Sequence, residues 1–492
     1  MIEFTRSFLQ DRQITLSFDG FTSTPFPAST GIPQGSPLSP ILFLFFVREL
    51  LTQLNTRRTV ASGFVDDTNI LAFGRSTQET CKNLEEAHQH CVGWAHRHGA
   101  AFAPDKYHLI HLTPRPKKHC MSTTVSIPGF SEGPSPTVKI LGVWIDTKLK
   151  WGHHVAQAHA KSTKALPALS RLTKSTWGAS FTKARQIYSA IIRPGMTHGS
   201  NVWHTPQETY NKGGKAPEAL EKLQNQCLRI ITGAYKSTRV QDLQREAEIA
   251  PLNLHLDRLS YQHSLQTGEQ HSHSAVEKGC QDITTKLQTL FPVLPIGRYK
   301  TEPRRALIRR AAVKAAHQPE QTTPHPVQIK TRLKAHQDLK WQESWNSSQA
   351  HIRRRPAASR TPWKTKPARI KQGLTRPQAT IATLLRTEHI GLNSYLHWRR
   401  VPGAESPHCD CGWPDQTPQH IALHCPEHTQ GRQNMIHRAG TPHWDKIMTT
   451  AKGLQAVTDW FLQMGTLEQF SLAQEMAQED NATNTARGRR GE

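Results

Sequence analysis

Apolar and polar positions follow two different patterns in the first part of the chain. Residues 41–47 are apolar without interruption and follow a proline-containing turn, which predicts a buried helix, because proline fits the first helical turn. Residues 60–65 and 68–73 are short runs of the β type, separated only by Asp66 and Asp67. Two such runs joined so tightly predict a β-hairpin that carries both carboxylates at its tip.

Capping signals and periodicity predict further elements. Ser76 and Glu79 form a capping box, which predicts a helix that ends near Gly99. Residues 106–112 and 138–145 predict two more strands. An amphipathic stripe predicts a later helix whose apolar face lies in a core. Its members are Leu220, Leu223, Cys227, Leu228 and Ile231.

The charge of the chain is strongly positive and unevenly distributed. The 492 residues include 62 Lys and Arg against 38 Asp and Glu, a formal net charge of +24, which suits a polyanion such as nucleic acid. Residues 298–376 hold 20 Lys and Arg, only four acidic residues and few large aliphatic side chains. This composition predicts a basic, poorly ordered segment, which either contacts nucleic acid or serves as a solvated linker.

Hydropathy and cysteine usage exclude membrane-spanning and disulfide-stapled proteins. The longest apolar run has seven residues, whereas a membrane-spanning helix needs about 20, so no membrane partner is expected. The first residues lack the basic and apolar regions of a signal peptide. Eight cysteines in 492 residues do not form a disulfide scaffold. We therefore expect a reducing compartment, the nucleus or the cytoplasm, and the sequence leaves the oligomeric state open.

Asp66 and Asp67 carry the first candidate chemistry. Adjacent aspartates are most often a solvated turn, but here apolar residues on both sides place them at the end of a buried sheet. Rigid carboxylates at such a point suit hard divalent cations such as Mg²⁺. Two Mg²⁺ ions about 4 Å apart can activate an attacking hydroxyl and stabilise a leaving pyrophosphate.

The glycine-flanked loop before the apolar run completes a wider pattern. Residues 31–40 have the sequence Gly-Ile-Pro-Gln-Gly-Ser-Pro-Leu-Ser-Pro, and residues 64–67 the sequence Phe-Val-Asp-Asp. The two blocks, in this order, resemble the palm of a reverse transcriptase, and more narrowly that of non-LTR, LINE-like retrotransposons of the fungal type. The resemblance implies an RNA-directed DNA polymerase, with an RNA template and a DNA primer as partners.

The resemblance also implies roles for particular residues. Asp66 and Asp67 occupy the positions that bind the catalytic Mg²⁺ ions, and Lys106 occupies the position proposed to protonate pyrophosphate. Residues 139–146 resemble the primer-grip strand. The loop residues that would contact the incoming nucleotide and the template are Pro33, Gln34, Gly35 and Ser36.

A cysteine–histidine cluster near the C-terminus carries the second candidate chemistry. Cys409, Cys411, His420 and Cys425 follow the spacing C-x-C-x8-H-x4-C and provide a complete tetrahedral shell for a structural Zn²⁺. The segments around it resemble those that precede the CCHC motif of the same retrotransposons. The alternatives are buried or idle thiols, or competition from another histidine. The competing histidines are His424 and His428, and His408 is adjacent to the cluster.

The surroundings of this cluster allow two further expectations. Thr417 and Pro418 predict the start of a helix that carries the histidine ligand. A zinc module beside a basic segment suits contact with RNA or DNA. Trp398 and Trp413 could stack on bases, although core packing is favoured for both.

The chain also departs from the family pattern. Polymerases of this kind carry another metal-binding aspartate on an upstream palm strand, together with fingers, whereas Asp11 and Asp19 lie in no strand-like acidic motif. Neither an endonuclease domain nor the spaced carboxylates of a ribonuclease H domain are found. We therefore expect a truncated gene model or a decayed element that is nearly inactive alone. The alternative is a catalytically dead remnant that binds nucleic acid through its basic segment and zinc module.

Together these patterns predict an α+β fold that contains part of a right-hand polymerase palm. Residues 185–203 and 223–252 resemble the thumb-side helices of the family. The predicted regions are a palm at 1–150, a helical thumb-like region at 151–265, a basic poorly ordered linker at 266–375, a small zinc-binding module at 376–445 and a helical, polar tail at 446–492.

Overall fold

The structure is a computed structural model, and it describes most of the chain. The described residues are 2–113, 115–206, 217–269, 311–313, 326–350, 356–465 and 467–470. They divide into two compact units. Described residues up to 138 form the first unit, and those from 139 onwards form the second.

The first unit combines three helices with short antiparallel strand pairs. Its helices are α1 (Ile2–Leu9), α2 (Ser39–Leu54) and α3 (Thr77–His98), and 3-10 turns lie at Pro104–Lys106 and Pro116–Lys118. Its strands are β1 (Gln13–Ile14), β2 (Ser17–Phe18), β3 (Phe21–Thr22), β4 (Phe26–Pro27), β5 (Thr59–Phe64) and β6 (Asp67–Ala72). Strand β1 pairs with β4, β2 with β3, and β5 with β6.

The main core of the first unit lies where α2 and α3 pack beside the β5–β6 hairpin. It consists of Val47, Leu50, Leu54, Ala87, Cys91, Trp94 and Ala95. Helix α3 begins at the predicted capping box, where the Ser76 side chain accepts a hydrogen bond from the backbone N–H of Glu79 at 3.2 Å. It ends at Gly99, whose φ of +62° is the left-handed conformation common at helix ends. The predicted hairpin and this helix are confirmed, but Phe64 and Leu71 on the two strands of the hairpin are 59% and 39% exposed, so the prediction that the carboxylates end a buried sheet is wrong.

Helix α2 is not buried on all sides, contrary to the prediction. Ile41, Leu44 and Phe45 are exposed, the last with 68% of its surface accessible. A helix that is apolar all round has no side that favours water, so its burial depends entirely on what packs around it. In the described part of the first unit, buried positions of α2 lie mainly in its second half.

Two strand predictions also differ from the structure. Residues 107–113 form no strand; they are held by single contacts, such as the bond from the Ser135 N–H to the Leu109 carbonyl at 2.8 Å. The run at 138–145 is a hairpin of β7 (Thr137–Ile140) and β8 (Val143–Asp146), not one strand. Leu141 and Gly142 between them have φ of +48° and +82°, the pair of positive values that tight hairpin turns require.

The second unit is almost entirely helical. Its helices are α4 (Gly152–Thr163), α5 (Leu166–Leu172), α6 (Phe181–Ile187), α7 (Arg193–Thr197), α8 (Ser200–Trp203), α9 (Glu218–Thr232), α10 (Val240–Ala247), α11 (Leu252–Glu269), α12 (Pro326–Gln349), α13 (Ala357–Arg360), α14 (Pro367–Ile370), α15 (Arg376–Thr387), α16 (Asn393–Trp398), α17 (Pro418–Leu423), α18 (Arg432–Ala439), α19 (Trp444–Thr449) and α20 (Ala451–Met464). A π-helical turn lies at Tyr188–Ile192, and 3-10 turns lie at Pro426–His428 and Glu468–Phe470.

One large core runs through the second unit. Helix α15 packs against α9 and α20, and its Ile381, Leu384 and Leu385 are fully buried. The predicted apolar stripe of α9 lies in this core, as expected. The core also takes in residues from each of the regions predicted at 151–265, 266–375, 376–445 and 446–492, so these regions fold together. None of the described helices is long and apolar enough to cross a membrane.

The described part of the predicted basic linker is folded, so the prediction of a poorly ordered segment is wrong there. It contributes α12, α13 and α14, and its Ala357 and Leu374 lie in the core. Composition was misleading because Lys371 and Arg376, counted as solvated charges, are buried and compensated by distant partners. The remainder of this region, at 270–310, 314–325 and 351–355, lies outside the described residues.

Candidate functional site

The aspartate pair lies at the tip of the β5–β6 hairpin. Phe64 pairs with Asp67 across the hairpin, so Val65 and Asp66 form a two-residue turn and Asp67 opens β6. Both aspartates are exposed. Val65 has a φ of +53°, a left-handed conformation that is unfavourable for a β-branched residue. Such strain persists only where the surrounding structure holds the backbone. The surrounding structure therefore fixes the turn that presents Asp66.

The base of β5 is anchored to the end of α2. The Thr59 hydroxyl donates to the Leu54 carbonyl at 2.7 Å, and the Ala61 N–H donates to the Asn55 side-chain oxygen at 3.2 Å. At Gly63 a Cβ would lie 3.0 Å from a Leu51 methyl carbon, so helix and strand approach closely. These contacts hold the strand that carries the tip, as a site for divalent cations requires.

The glycine-flanked loop turns directly into α2. The Ser39 hydroxyl donates to the Pro33 carbonyl at 2.6 Å, and the Ser36 side chain accepts from the Leu38 N–H at 3.3 Å. Gly35 has a φ of +89° and open space around it, so it is needed for the turn rather than for close packing. Gln34 and Gly35 are exposed, while Pro33 and Ser36 are half-buried.

The other predicted residue of this site, Lys106, is exposed at the end of the 3-10 turn that follows α3. The loop, the hairpin and Lys106 all belong to the first unit. Among the described residues, the only group of three or more His, Cys, Asp or Glu ligand atoms lies elsewhere, so no third such side chain joins Asp66 and Asp67. Asp19 lies in the turn between β2 and β3, with a φ of +46°.

The cysteine–histidine cluster is assembled as a group in the second unit. The ligand atoms of Cys409, Cys411, His420 and Cys425 all lie within 4.8 Å of one another. The Cys409 and Cys425 sulfurs are 3.7 Å apart, and the Cys411 sulfur is 3.2 Å from Nε2 of His420. Three of the four residues are buried. Three sulfurs and a ring nitrogen so close together suit a tetrahedral metal ion.

Local structure explains why these four residues meet. The Thr417 side chain accepts from the His420 N–H at 3.2 Å, and α17 begins at Pro418, as predicted. The backbone folds back between the first two cysteines, where the Gly412 N–H donates to the Cys409 carbonyl at 2.9 Å. His424, considered as a competing ligand, lies outside the group.

Arg432 fixes the last ligand, a role for which the neighbouring residues carry no local signal. Its guanidinium donates to the carbonyls of Ala422 and His428 at 3.1 and 2.7 Å, and also to the Cys425 carbonyl. It therefore satisfies backbone groups at the end of α17 and holds the turn that carries Cys425. Burial, together with the neighbouring Cys409 and Cys411, raises the pKa of the Cys425 thiol to about 11. A bound cation would favour the thiolate that this environment disfavours.

Trp398 and Trp413 do not pack in a core, contrary to the prediction. Trp398 is 61% exposed and Trp413 is 56% exposed. The Trp413 ring stacks on the His420 ring, with centroids 5.3 Å apart and planes inclined by 10°. Apolar character alone did not reveal this exposure, because Trp398 ends a short helix and Trp413 lies in a loop, and the packing of both depends on distant residues.

Comparison with known proteins gives consistent matches. Residues 2–145 match the family model "Reverse transcriptase (RNA-dependent DNA polymerase)". The chain is 24% identical over 266 residues to the RNA-directed DNA polymerase from mobile element jockey of Drosophila melanogaster, covering 52% of this chain and 27% of that protein. It is 22% identical over 278 residues to the probable RNA-directed DNA polymerase from transposon BS of the same species, covering 54% and 29%.

A third relative is shorter. It is the Retrovirus-related Pol polyprotein from type-1 retrotransposable element R1 of Nasonia vitripennis, 23% identical over 181 residues, covering 35% of this chain and 52% of that protein. The chain thus spans well under two thirds of each of these relatives. The family match places a reverse transcriptase domain within residues 2–145. The relatives place that domain among those of non-LTR retrotransposons. The fungal type stays a prediction.

Proposed function

We propose that the chain is part of an RNA-directed DNA polymerase of a non-LTR retrotransposon, acting on an RNA template and a DNA primer. The observation that carries this proposal is the hairpin with Asp66 and Asp67 at its tip, inside the segment that matches the reverse transcriptase family. The glycine-flanked loop that turns into α2, with Gln34 and Gly35 exposed, is the proposed contact for nucleotide and template.

Asp66 and Asp67 are the proposed ligands of a catalytic Mg²⁺ pair. Their exposed carboxylates are oxygen donors of the kind that Mg²⁺ prefers. Bound Mg²⁺ would activate the attacking primer hydroxyl and stabilise the leaving pyrophosphate. Lys106 is the proposed proton donor to pyrophosphate, and its exposure allows it to reach solvent and substrate. The cluster around Cys425 is the proposed site of a structural Zn²⁺.

The chain alone is expected to extend a primer poorly with Mg²⁺, because the described residues offer no third metal-binding side chain beside Asp66 and Asp67. Loss of one ligand from a metal pair costs roughly a thousandfold or more in rate. Extension of primed RNA would be measured beside Asp66→Ala, with Asp19→Ala as the matched control in a neighbouring hairpin turn.

Binding of Mn²⁺ in the presence of primed RNA and nucleotide provides a second measurement, followed by electron paramagnetic resonance. Asp66→Ala should weaken this binding and Asp19→Ala should not. Robust extension that Asp66→Ala leaves unchanged, or Mn²⁺ binding indifferent to both variants, would contradict the assignment of the hairpin.

The second candidate is a nucleic-acid-binding protein without polymerase activity, acting through residues 298–376. In the described part of that region, only some of the Lys and Arg side chains are placed to contact nucleic acid. Lys364, Lys366 and Arg369 are exposed around α14, whereas Lys371 and Arg376 are buried. The exposed cations are free to approach phosphates, and the buried ones are not.

Binding of the whole chain to duplex should therefore fall steeply with salt. With five to eight phosphate contacts, the slope of log K against log salt is expected to be roughly −4 to −7. Replacing Lys364, Lys366 and Arg369 with glutamine should reduce that slope by up to about 3, because each lost contact removes about 0.9. Affinity would be measured at several salt concentrations. An unchanged slope would show that these three exposed cations do not contact the nucleic acid.

A further inference from the structure

Four aromatic rings, none of them a ligand of the cysteine–histidine cluster, meet at one surface of the second unit. Tyr235 and Tyr395 are stacked, with centroids 5.7 Å apart and planes inclined by 26°. The His389 ring lies 5.2 Å from Tyr395 and 5.7 Å from Trp398. Tyr395 and Trp398 are 6.0 Å apart. Three of the rings are partly buried, and Trp398, at the end of the group, is 61% exposed.

Hydrogen bonds hold the inner rings in place. The hydroxyls of Ser237 and Tyr395 are 2.6 Å apart, and the Ser237 hydroxyl is 3.0 Å from Nδ1 of His389. These bonds join the segment after α9 to α16, which carries Trp398 at its last position. The exposed indole therefore rests on a fixed support, so little side-chain entropy is lost when a ligand stacks on it.

Cations surround the exposed ring. The Arg399 guanidinium lies 5.4 Å from the Trp398 ring centroid, and the next residue, Arg400, is also exposed. Arg239 and Arg399 lie close enough to the His389 ring to act on it: burial, and then these two cations, lower the pKa of His389 to about 4. His389 is therefore neutral at physiological pH, and arginines supply the charge of this surface.

Two carboxylates in the adjoining elements have arginine partners, one of which is Arg239. Glu388 lies 3.8 Å from a guanidinium nitrogen of Arg360, and Asp242 lies 3.9 Å from one of Arg239. An exposed indole flanked by two arginines combines the two features of single-stranded nucleic-acid sites, a stacking face and phosphate-binding charge. An apolar protein partner would not need the arginines, and a duplex would not expose base faces for the indole.

We propose that Trp398, Arg399 and Arg400 form a binding surface for single-stranded RNA or DNA, with a base stacked on the indole and phosphates contacted by the arginines. Only the identity of the bound strand rests on the proposed function, because a polymerase of this class holds a single-stranded template. The stacking itself requires neither Asp66 nor a divalent cation. The surface does not read sequence, because every base has a stacking face.

The test uses the whole chain, without Mg²⁺ and without chelator, and three short fluorescent ligands: oligothymidylate, oligouridylate and an abasic strand of equal length. Trp398→Ala is expected to weaken binding of both base-bearing strands about tenfold and leave the abasic strand unchanged, because stacking needs a base. Trp398→Phe should retain most of the affinity. Trp177→Ala, which removes an indole 52% exposed elsewhere on the same unit, is the matched control.

Arg400 allows a clean test of the charge. Its φ is +55°, and the Val401 N–H donates to the Leu396 carbonyl at 3.0 Å, so Arg400 occupies the left-handed position that usually holds glycine after a helix. Arg400→Gly therefore removes the cation in a backbone conformation that glycine favours, and the melting temperature should not fall. The variant should weaken binding of all three strands by the same factor. It should also reduce the slope of log K against log salt by about 0.7.

The outcomes separate this surface from the polymerase site. The stacking proposal would be overturned if Trp398→Ala lost as much affinity for the abasic strand as for the base-bearing strands. It would also be overturned if Trp177→Ala lost as much affinity as Trp398→Ala does. A difference between oligouridylate and oligothymidylate would show which strand is preferred. Binding is measured without Mg²⁺, which the polymerase proposal requires at Asp66, so a failure of the polymerase proposal would leave this result intact. If Trp398→Ala abolished binding of a protein partner and changed the affinity for none of the strands, the surface would be assigned to that partner instead.

Discussion

Replacing Cys425 with serine is expected to remove bound zinc from the chain and to unfold much of the second unit. Cys425 is fully buried, and the cluster lies in the same core as α15 and α20. A structural Zn²⁺ contributes its binding free energy to folding, on the order of 10 kcal/mol in small zinc modules. A net loss of even half of that predicts a melting temperature lower by at least about 10 °C. Metal analysis and calorimetry measure the two quantities.

Two controls identify the ligands. Cys120 is a free, exposed cysteine in the first unit, so Cys120→Ser should leave zinc content and melting temperature unchanged. His424→Ala should also retain zinc, because His424 lies outside the assembled group, whereas His420→Ala should not. Zinc retained at full stoichiometry in Cys425→Ser, or lost in His424→Ala, would show that another ligand set holds the ion.

The elements that could be predicted from the sequence are those whose signals are local. The aspartate hairpin follows from two β-type runs joined by a two-residue turn, and α3 follows from a capping box and a terminal glycine. The stripe on α9 and the helix that begins at Pro418 after the capping Thr417 are of the same kind. In each case neighbouring residues fix the hydrogen bonds, so distant parts of the chain do not change the outcome.

The features that could not be predicted depend on distant partners. The exposure of Phe45 on α2 and of Trp398 on α16 is decided by what packs beside them. Composition alone predicts a solvated basic region, because the region itself offers few acidic partners. Lys371 finds its partner in Glu246, far away along the chain, at 2.6 Å. A pairing of this kind leaves no local pattern in sequence.

The ion group around Glu246 carries the second large prediction. Glu246, Lys371 and Arg386 have fully buried side chains, and the nearest Arg386 nitrogen lies 2.8 Å from the Glu246 carboxylate. Glu246→Gln would leave two buried cations without an anion. Removing one partner of a buried ion pair costs about 3–5 kcal/mol of unfolding free energy. Denaturant unfolding measures the loss, and Glu218→Gln, at an exposed pair with Lys222, should change it very little.

The pH dependence of stability provides an independent test of the ion group around Glu246. Burial alone would raise the pKa of Glu246, but Arg386 and Lys371 outweigh burial and hold it at about 2. A glutamate in the unfolded chain has a pKa of about 4.3, so the unfolded state takes up the proton first as the pH falls. The stabilisation is complete above about pH 4.3 and is lost as the pH falls towards 2. The wild type should therefore lose stability more steeply across this interval than Glu246→Gln does.

A second variant, Glu246→Gln with Lys371→Met, should recover part of the lost free energy by removing one uncompensated cation. Parallel pH profiles for wild type and Glu246→Gln, or no recovery in the double variant, would contradict the role assigned to this carboxylate.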